Sequence, residues 1–391
     1  MSIRTPISIR STSGQPPTAM AASAWSSTFR RPSARICRPP ETEFTMSAPL
    51  HAAFLSLLAL PCIAQATTAE PVPLYQHLKD WIVSCDNTRQ CTALAADTQA
   101  DMPLGIQVVR GAGIDGQLQL TIYSRSSLEA PLQLDGQPLV LPLSDAQEDG
   151  VVFWLASGEQ AMALLKALRN GTRLTSQSND GELGSSLNGL TASLLLIDSV
   201  QGRVGHRSAL VRAGNAPDSA VPPAPALPKL APFVRPEPLE EAEARRISEA
   251  VMAATAHDWR DPDTDWTPDS AQAYALSKET ALVSFRFGCG AYNCEYALYT
   301  TSRAHPEQAK ALQFETIAAQ EQWGDFGGSV GYDPDTGVLS SFILSRGIGD
   351  CGIDQSWRFD GERMQLRSLA RMGSCSGSWP DKWPVLWRSQ D

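Results

Sequence analysis

The sequence predicts an α+β fold, mainly antiparallel β, in two domains joined by a proline-rich linker and braced by three intradomain disulfides. Three observations carry this. Six of the eight cysteines fall into close pairs, Cys85 with Cys91, Cys289 with Cys294 and Cys351 with Cys375. Short runs with alternating apolar residues recur along the chain, the period of half-buried strands. Eight prolines crowd the 22 residues from Pro217 to Pro238, a density that forbids helix and ladder and favours an extended backbone.

The elements follow in order. Residues 1–45 carry six arginines and two acids, Glu41 and Glu43, among many Ser, Thr and Pro, with no apolar period. This predicts a disordered leader and a true translation start at Met46. Residues 46–66 hold an apolar run from Ala52 to Leu60 and the triplet Ala64-Gln65-Ala66. That is the pattern of a cleavable signal peptide, and the run falls short of the roughly 20 residues needed to span a bilayer. Pro61 before Cys62 argues against lipid attachment, and cleavage after Ala66 would remove Cys37 and Cys62 together. An even six cysteines would then remain, as three disulfides with no free thiol, in an oxidising compartment. The expected location is the periplasm.

Cleavage leaves 325 residues, more than one ordinary core, and two domains are expected. Without the leader's six Arg and two Glu, 26 basic residues face 40 acidic ones, a net charge near −14. A surface this acidic, with no basic stripe, repels phosphate backbones and argues against nucleic acid as a partner. No later apolar stretch reaches membrane length.

The N-terminal domain, 67–213, reads as short strands with two helices. Trp81, Val83 and Cys85 alternate, and Cys91 to Leu94 can return across the Asp86-Asn87 turn. Further strands are expected at Ile106–Arg110, Leu118–Tyr123 and Val151–Leu155. A helix over 160–170 places Met162, Leu165 and Leu168 on one face and stops at Gly171, and another over 190–199 groups Leu190, Leu194 and Ile197. Residues 214–238 form the linker. The C-terminal domain, 239–391, opens with a helix over 240–254 that turns Ile247 and Val251 inward. Strands are expected at 281–287, 295–300 and 338–345. A hairpin over 357–366 turns at Asp360-Gly361, with Cys351 and Cys375 tying its base.

Several motifs suggest chemistry and lack its context. Gly347-Ile348-Gly349-Asp350-Cys351-Gly352 matches a dinucleotide fingerprint, but a strand, not a helix, should follow. Gly327-Gly328-Ser329-Val330-Gly331 matches a nucleophile elbow, but the next residues, Tyr332 to Gly337, read as a turn. Asp261, Asp263 and Asp265 are a weak calcium candidate, since Trp266 and Gln272 stand where an EF-hand needs Gly and Glu. The cysteine spacings suit neither zinc nor a C-x-x-C redox site. Trp379, Trp383 and Trp387 recur every fourth residue, but Pro380 and Pro384 break a helix there, and sealing the last hairpin's core is their expected role.

Trp81 with Cys85-Asp86-Asn87-Thr88-Arg89 and Cys91, Gln201-Gly202-Arg203, Gly290-Ala291-Tyr292-Asn293, Arg346 to Gly352, Cys375 and Trp387 together form a pattern. It resembles the bacterial exported family known as domain of unknown function 1176, across nearly the whole chain after residue 66. The first half is also distantly similar to the invasion-associated locus B proteins. The resemblance implies no catalytic residues.

The function expected from all this is a non-catalytic envelope module that binds an envelope macromolecule, protein or glycan, or supports the cell surface. No cofactor or catalytic residue is expected. Arg346, Asp350, Tyr292 and Asn293 are the candidate binding residues. Two other classes remain open. One is an inhibitor of an exported enzyme, such as a cell-wall hydrolase or protease, acting through the cross-linked loop Asp86–Gln90 or Gly290–Asn293. The other is an envelope hydrolase using Ser329 or a carboxylate pair.

Overall fold

The computed structural model describes residues 70–96, 103–124, 126, 131–139, 144–148, 151–260, 268–269, 271–317 and 326–391. The expected leader and signal peptide, and the calcium candidates Asp261, Asp263 and Asp265, lie outside the described residues.

The N-terminal domain is a meander that a helical layer covers. Its strands are β1 (Leu74–Leu78), β2 (Trp81–Cys85), β3 (Cys91–Ala95), β4 (Gly105–Arg110), β5 (Leu118–Ser124), β6 (Gln133–Leu134), β7 (Gln137–Pro138), β8 (Ser144–Glu148) and β9 (Val151–Ser157). Then come α1 (Gly158–Leu168), β10 (Arg173–Ser178), β11 (Gly181–Ser186) and α2 (Leu190–Val200). They form an antiparallel seven-stranded sheet, β1-β2-β3-β4-β5-β9-β8, and a four-stranded sheet, β11-β10-β6-β7. Ala161, Leu164, Leu165 and Leu168 of α1 are buried at helical spacing, and α2 is buried on most of its circumference. Both helices join Trp81, Val83, Ala93, Ile106, Val108 and Leu120 in one core.

Helix α2 starts at Gly189, whose φ is 110°; any side chain there would be strained and would strike the Leu78 carbonyl.

The C-terminal domain contains α3 (Glu241–Ala254), α4 (Ala256–Trp259), β12 (Gln272–Ala275), β13 (Thr280–Cys289), β14 (Cys294–Ser302) and β15 (Lys310–Ala311). It continues with β16 (Ser329–Asp333), β17 (Val338–Leu344), β18 (Gly352–Phe359), β19 (Met364–Met372) and β20 (Val385–Arg388). Two antiparallel sheets result, β12-β13-β14-β15 and β16-β17-β18-β19-β20. Ile247 and Val251 of α3 pack on the first with Phe285 and Tyr299. Leu339, Trp357, Leu366 and Leu369 form the core behind the second. The three expected disulfides are all present, each within one domain.

Strands β2 and β3 are buried on both faces. One face meets the helices; the other presents Ile82, Leu94 and Ala96 to Cys351, Met372 and Trp383 of the C-terminal domain. Polar bonds stitch the same joint. Ser84 Oγ donates to the Val385 carbonyl at 2.6 Å, the Tyr123 and Ser378 hydroxyls lie 2.7 Å apart, and Asn87 exchanges two 2.9 Å bonds with the Arg388 backbone. The described residues from Glu70 to Asp391 accordingly belong to one compact unit.

The proline-rich linker makes one 3-10 turn, Asp218–Ala220, against the expectation of no helix there; the rest of it runs without regular helix or strand, but it is no free spacer. Val221 and Leu230 are buried, the Leu230 N–H donates to the Gln390 carbonyl at 2.9 Å, and Arg358 donates to the Ala231 carbonyl at 2.8 Å. Among the described residues, no helix is long and apolar enough to cross a membrane.

Candidate functional site

The four candidate binding residues meet at one tip of the C-terminal domain. The β13–β14 hairpin ends in a loop that the Cys289–Cys294 bridge closes, with the Gly290 N–H donating to the Asn293 carbonyl at 2.8 Å. The Asn293 amide donates to the Leu344 carbonyl at 2.7 Å and accepts from the Leu344 N–H at 2.9 Å. That exchange fastens the loop to the end of β17 across the gap between sheets. The Tyr292 ring then lies over Gly347; a Cβ at Gly347 would come within 2.6 Å of it. Tyr292 and Ile348 stand 56% and 64% exposed, two large apolar side chains at the tip, Ile348 directly following the glycine that the Tyr292 ring covers.

Next to them lies a lock. Arg346 grips Asp350 with two bonds, Nε to Oδ1 at 2.7 Å and Nη2 to Oδ2 at 2.5 Å, and Nη2 also reaches the Cys375 carbonyl at 3.2 Å. The Gly377 N–H donates to the same Asp350 carboxylate at 2.7 Å. Asp350 is fully buried. Burial pushes its carboxyl up, but the Arg346 fork and the Gly377 N–H outweigh that and hold its pKa below the usual range. Asp350, Cys351 and Cys375 place ligand-type atoms within 4.8 Å of one another. The two sulfurs are bonded to each other and the carboxylate to Arg346, so the trio is a cross-link and not a metal seat.

Asp350 and Asn293 therefore turn inward and shape the tip, whereas Tyr292 and part of Arg346 face outward. Asp350→Ala should lower stability by about 1–2 kcal/mol, because it strands the Gly377 donor and releases Arg346. A carboxyl with a depressed folded pKa stabilises above its unfolded value near 4 and loses that contribution as pH falls through the folded value. Urea titrations of both proteins should thus differ at pH 7 and converge in acid. A gap that stays constant down to acid pH would contradict the ionic account.

The second candidate loop is placed differently. Asp86 is fully buried; it accepts the Thr88 and Gln90 N–H groups at 2.8 and 3.0 Å, and Arg388 Nε lies 2.6 Å from its other oxygen. That N–H is not aimed at the oxygen, so the contact is an ion pair without an aligned hydrogen bond. Arg89 donates to the Val200 carbonyl at 2.5 Å. The loop Asp86–Gln90 is part of the domain joint, which corrects its reading as an exposed plug.

The other motifs resolve as structure. Gly349 has φ 71°, and the glycine-rich turn runs directly into strand β18. Ser329 opens strand β16, with no helix behind it. Trp387 packs on the core of the last sheet and donates to the Leu366 carbonyl at 3.1 Å, as expected, whereas Trp383 is buried in the joint between domains, where it stacks on Phe342 at 5.4 Å.

Two clefts flank edge strand β16, and sequence reasoning missed both. One, of about 880 Å³, holds Phe233, Ser340, Arg358, Arg367 and Asp391. The other, of about 240 Å³, holds Tyr274, Tyr296, Tyr332 and the ion pair Arg286–Asp269, 2.5 Å apart. The Tyr274 and Tyr332 rings lie 5.2 Å apart. The Tyr332 hydroxyl is buried without a hydrogen-bond partner, and burial pushes its pKa up to about 12. The contributing residues are scattered over some 160 positions, and no local spacing announces them.

A family model described as "Protein of unknown function (DUF1176)" matches residues 75–390. The chain belongs to this family. The match runs from β1 past the end of β20 and so takes in the tip, the joint, the smaller cleft and all of the larger cleft but Asp391. An uncharacterized protein of Escherichia coli (strain K12), YpfG, is 30% identical over 333 residues, covering 81% of this chain and 93% of its own length. No solved structure matches. The similarity of the first half to invasion-associated locus B proteins gains no support from these matches.

Proposed function

We propose that this protein is a non-catalytic binding module of the bacterial cell envelope, exported to the periplasm, that engages a protein partner through the Tyr292–Ile348 tip. The observation that carries the reading is the pairing of exposure with rigidity there. Two large apolar side chains face solvent on backbone held by the Cys289–Cys294 and Cys351–Cys375 bridges, the Asn293–Leu344 exchange and the Arg346–Asp350 fork. A pre-ordered apolar anchor loses little entropy on binding, which is the property of an interface hot spot. Three disulfides suit an oxidising compartment.

The test is affinity capture from the cognate periplasm with the purified chain and its Tyr292→Ala/Ile348→Ser variant. A partner held by the parent chain and lost at least tenfold by the double variant supports the reading; equal capture by both refutes it. A second reading, inhibition of an exported hydrolase or protease, is favoured by the Gly290–Asn293 loop, which is short, cross-linked and outward-facing. Its mark would be loss of the captured partner's hydrolytic activity in the complex.

A further inference from the structure

The larger cleft lies on the face of the β16–β20 sheet opposite its core. Leu339, Trp357 and Leu366 point into the core, so their neighbours along each strand point the other way. Gly331 pairs with Ser340 across β16 and β17, giving the cleft a flat, hydroxyl-bearing floor. The linker crosses this face and sets the Phe233 ring against Gly337 as one wall.

The two ends of the cleft differ in charge. At one end, two guanidiniums share one carboxylate. Arg358 Nη1 lies 3.3 Å from Asp391 Oδ1, and Arg367 Nε and Nη2 lie 3.4 Å from its two oxygens. Charge-assisted bonds of this kind are ordinarily about 2.7–2.9 Å, so Asp391 fills the seat loosely, and its side chain is 62% exposed. Arg358 is itself 92% buried, fixed by the Ala231 carbonyl, and its Nε has no partner. At the other end, Asp333 accepts from Thr336 Oγ1 at 2.6 Å and from the Asp335 N–H at 2.9 Å, a polar corner with lone pairs to spare.

We propose that this cleft binds an acidic saccharide, with the sugar carboxylate displacing Asp391 between Arg358 and Arg367. Three features select this class. The Arg fork matches a planar carboxylate. The Ser340, Thr336 and Asp333 groups suit hydroxyls. The Phe233 ring offers an apolar face to the C–H side of a pyranose. A free phosphate would leave the Phe233 face and the Ser340 hydroxyl unused, and a peptide carboxylate would bring no ring of hydroxyls to the Ser340, Thr336 and Asp333 end. This site is separate from the tip, so either assignment can fail without the other.

Calorimetry with the full chain tests it, using digalacturonate, its methyl ester, N-acetyl-diglycine and inorganic phosphate as probes. Digalacturonate should bind, and both esterification and Arg367→Gln should weaken binding at least tenfold. Asp391→Asn, which takes the competing negative charge out of the seat, should tighten it severalfold. Arg367 is partly exposed, so a melting curve close to the parent's is expected for R367Q and separates lost binding from lost folding. Equal binding of the ester, equal or tighter binding of phosphate or the dipeptide, weaker binding by D391N, or no digalacturonate binding at millimolar concentration would each overturn the proposal.

Discussion

Arg203→Met is expected to destabilise the protein by about 3–5 kcal/mol, the scale on which removing one partner from a buried charged network acts. Arg203 has no exposed surface. Its Nε donates to Gln201 Oε1 at 3.0 Å, its Nη1 to Ser208 Oγ at 2.8 Å, and its Nη2 to the carbonyl of Gly113. Gln201 in turn donates to the Arg89 and Arg110 carbonyls, both at 2.9 Å. Asp198, one turn earlier on α2, accepts the Leu210 and Val211 N–H groups at 2.9 Å. The end of α2 is thus tied to the β2–β3 turn, the end of β4 and the chain that leads into the linker. Methionine keeps most of the volume but leaves a glutamine oxygen and a carbonyl unmatched, and it removes one of the two cations, Arg110 and Arg203, that offset Asp198, whose pKa burial already raises. Urea unfolding followed by tryptophan fluorescence would measure the loss. A shift below about 1 kcal/mol would mean that water replaces the arginine and that the network is not closed.

This network shows how much of the molecule is written locally. The helices over α1, α2 and α3 and the strands β2–β5, β9, β13, β14 and β17–β19 follow from apolar period and turn residues alone, because each buries a stripe that its own sequence displays. Strands β1, β6–β8, β10–β12, β15, β16 and β20 escaped that reading, β10 and β16 for a clear reason. Arg173–Ser178 and Ser329–Asp333 are polar or glycine-containing, and their strand state comes from pairing with neighbours. The domain joint was half visible. Ile82 and Leu94 are apolar on the face opposite Trp81 and Val83, which signals burial on both sides but not by what. Gln201-Gly202-Arg203 stood out as a motif, yet its role needed the Gly113 carbonyl, 90 residues away, to be brought alongside. The tip was legible because Tyr292, Asn293, Arg346 and Asp350 sit beside paired cysteines, and the disulfides bring these short segments together. The Arg358–Arg367 cleft was not, since it depends on the linker crossing a sheet face, a tertiary event without local periodicity.

Cys351 and Cys375, replaced together by alanine, should cost about 3.5 kcal/mol, against about 2 kcal/mol for each of the other two pairs, because a longer closed loop restrains the unfolded chain more. For the Cys351–Cys375 and Cys289–Cys294 bridges, the native state gives the same ranking by a separate route. Cys351 is fully buried among Ile82, Leu94, Met372 and Trp383, so its sulfur belongs to the packing between domains. The bridge also holds the segment 373–378, whose Gly373 N–H donates to Tyr75 Oη at 2.8 Å and whose Ser378 hydroxyl meets Tyr123. By contrast, the Cys289–Cys294 bridge closes an exposed hairpin end whose strands already pair over nine residue positions. Unfolding midpoints of the C351A/C375A and C289A/C294A chains should therefore separate clearly. Hydrogen exchange should show the first variant losing protection at β2 and β3, in the opposite domain, and the second losing it only near the tip. If the first variant's exchange changes stay confined to the C-terminal domain, the bridge acts on loop entropy alone and does not hold the joint; similar losses of stability in both variants would refute the loop-length ranking as well.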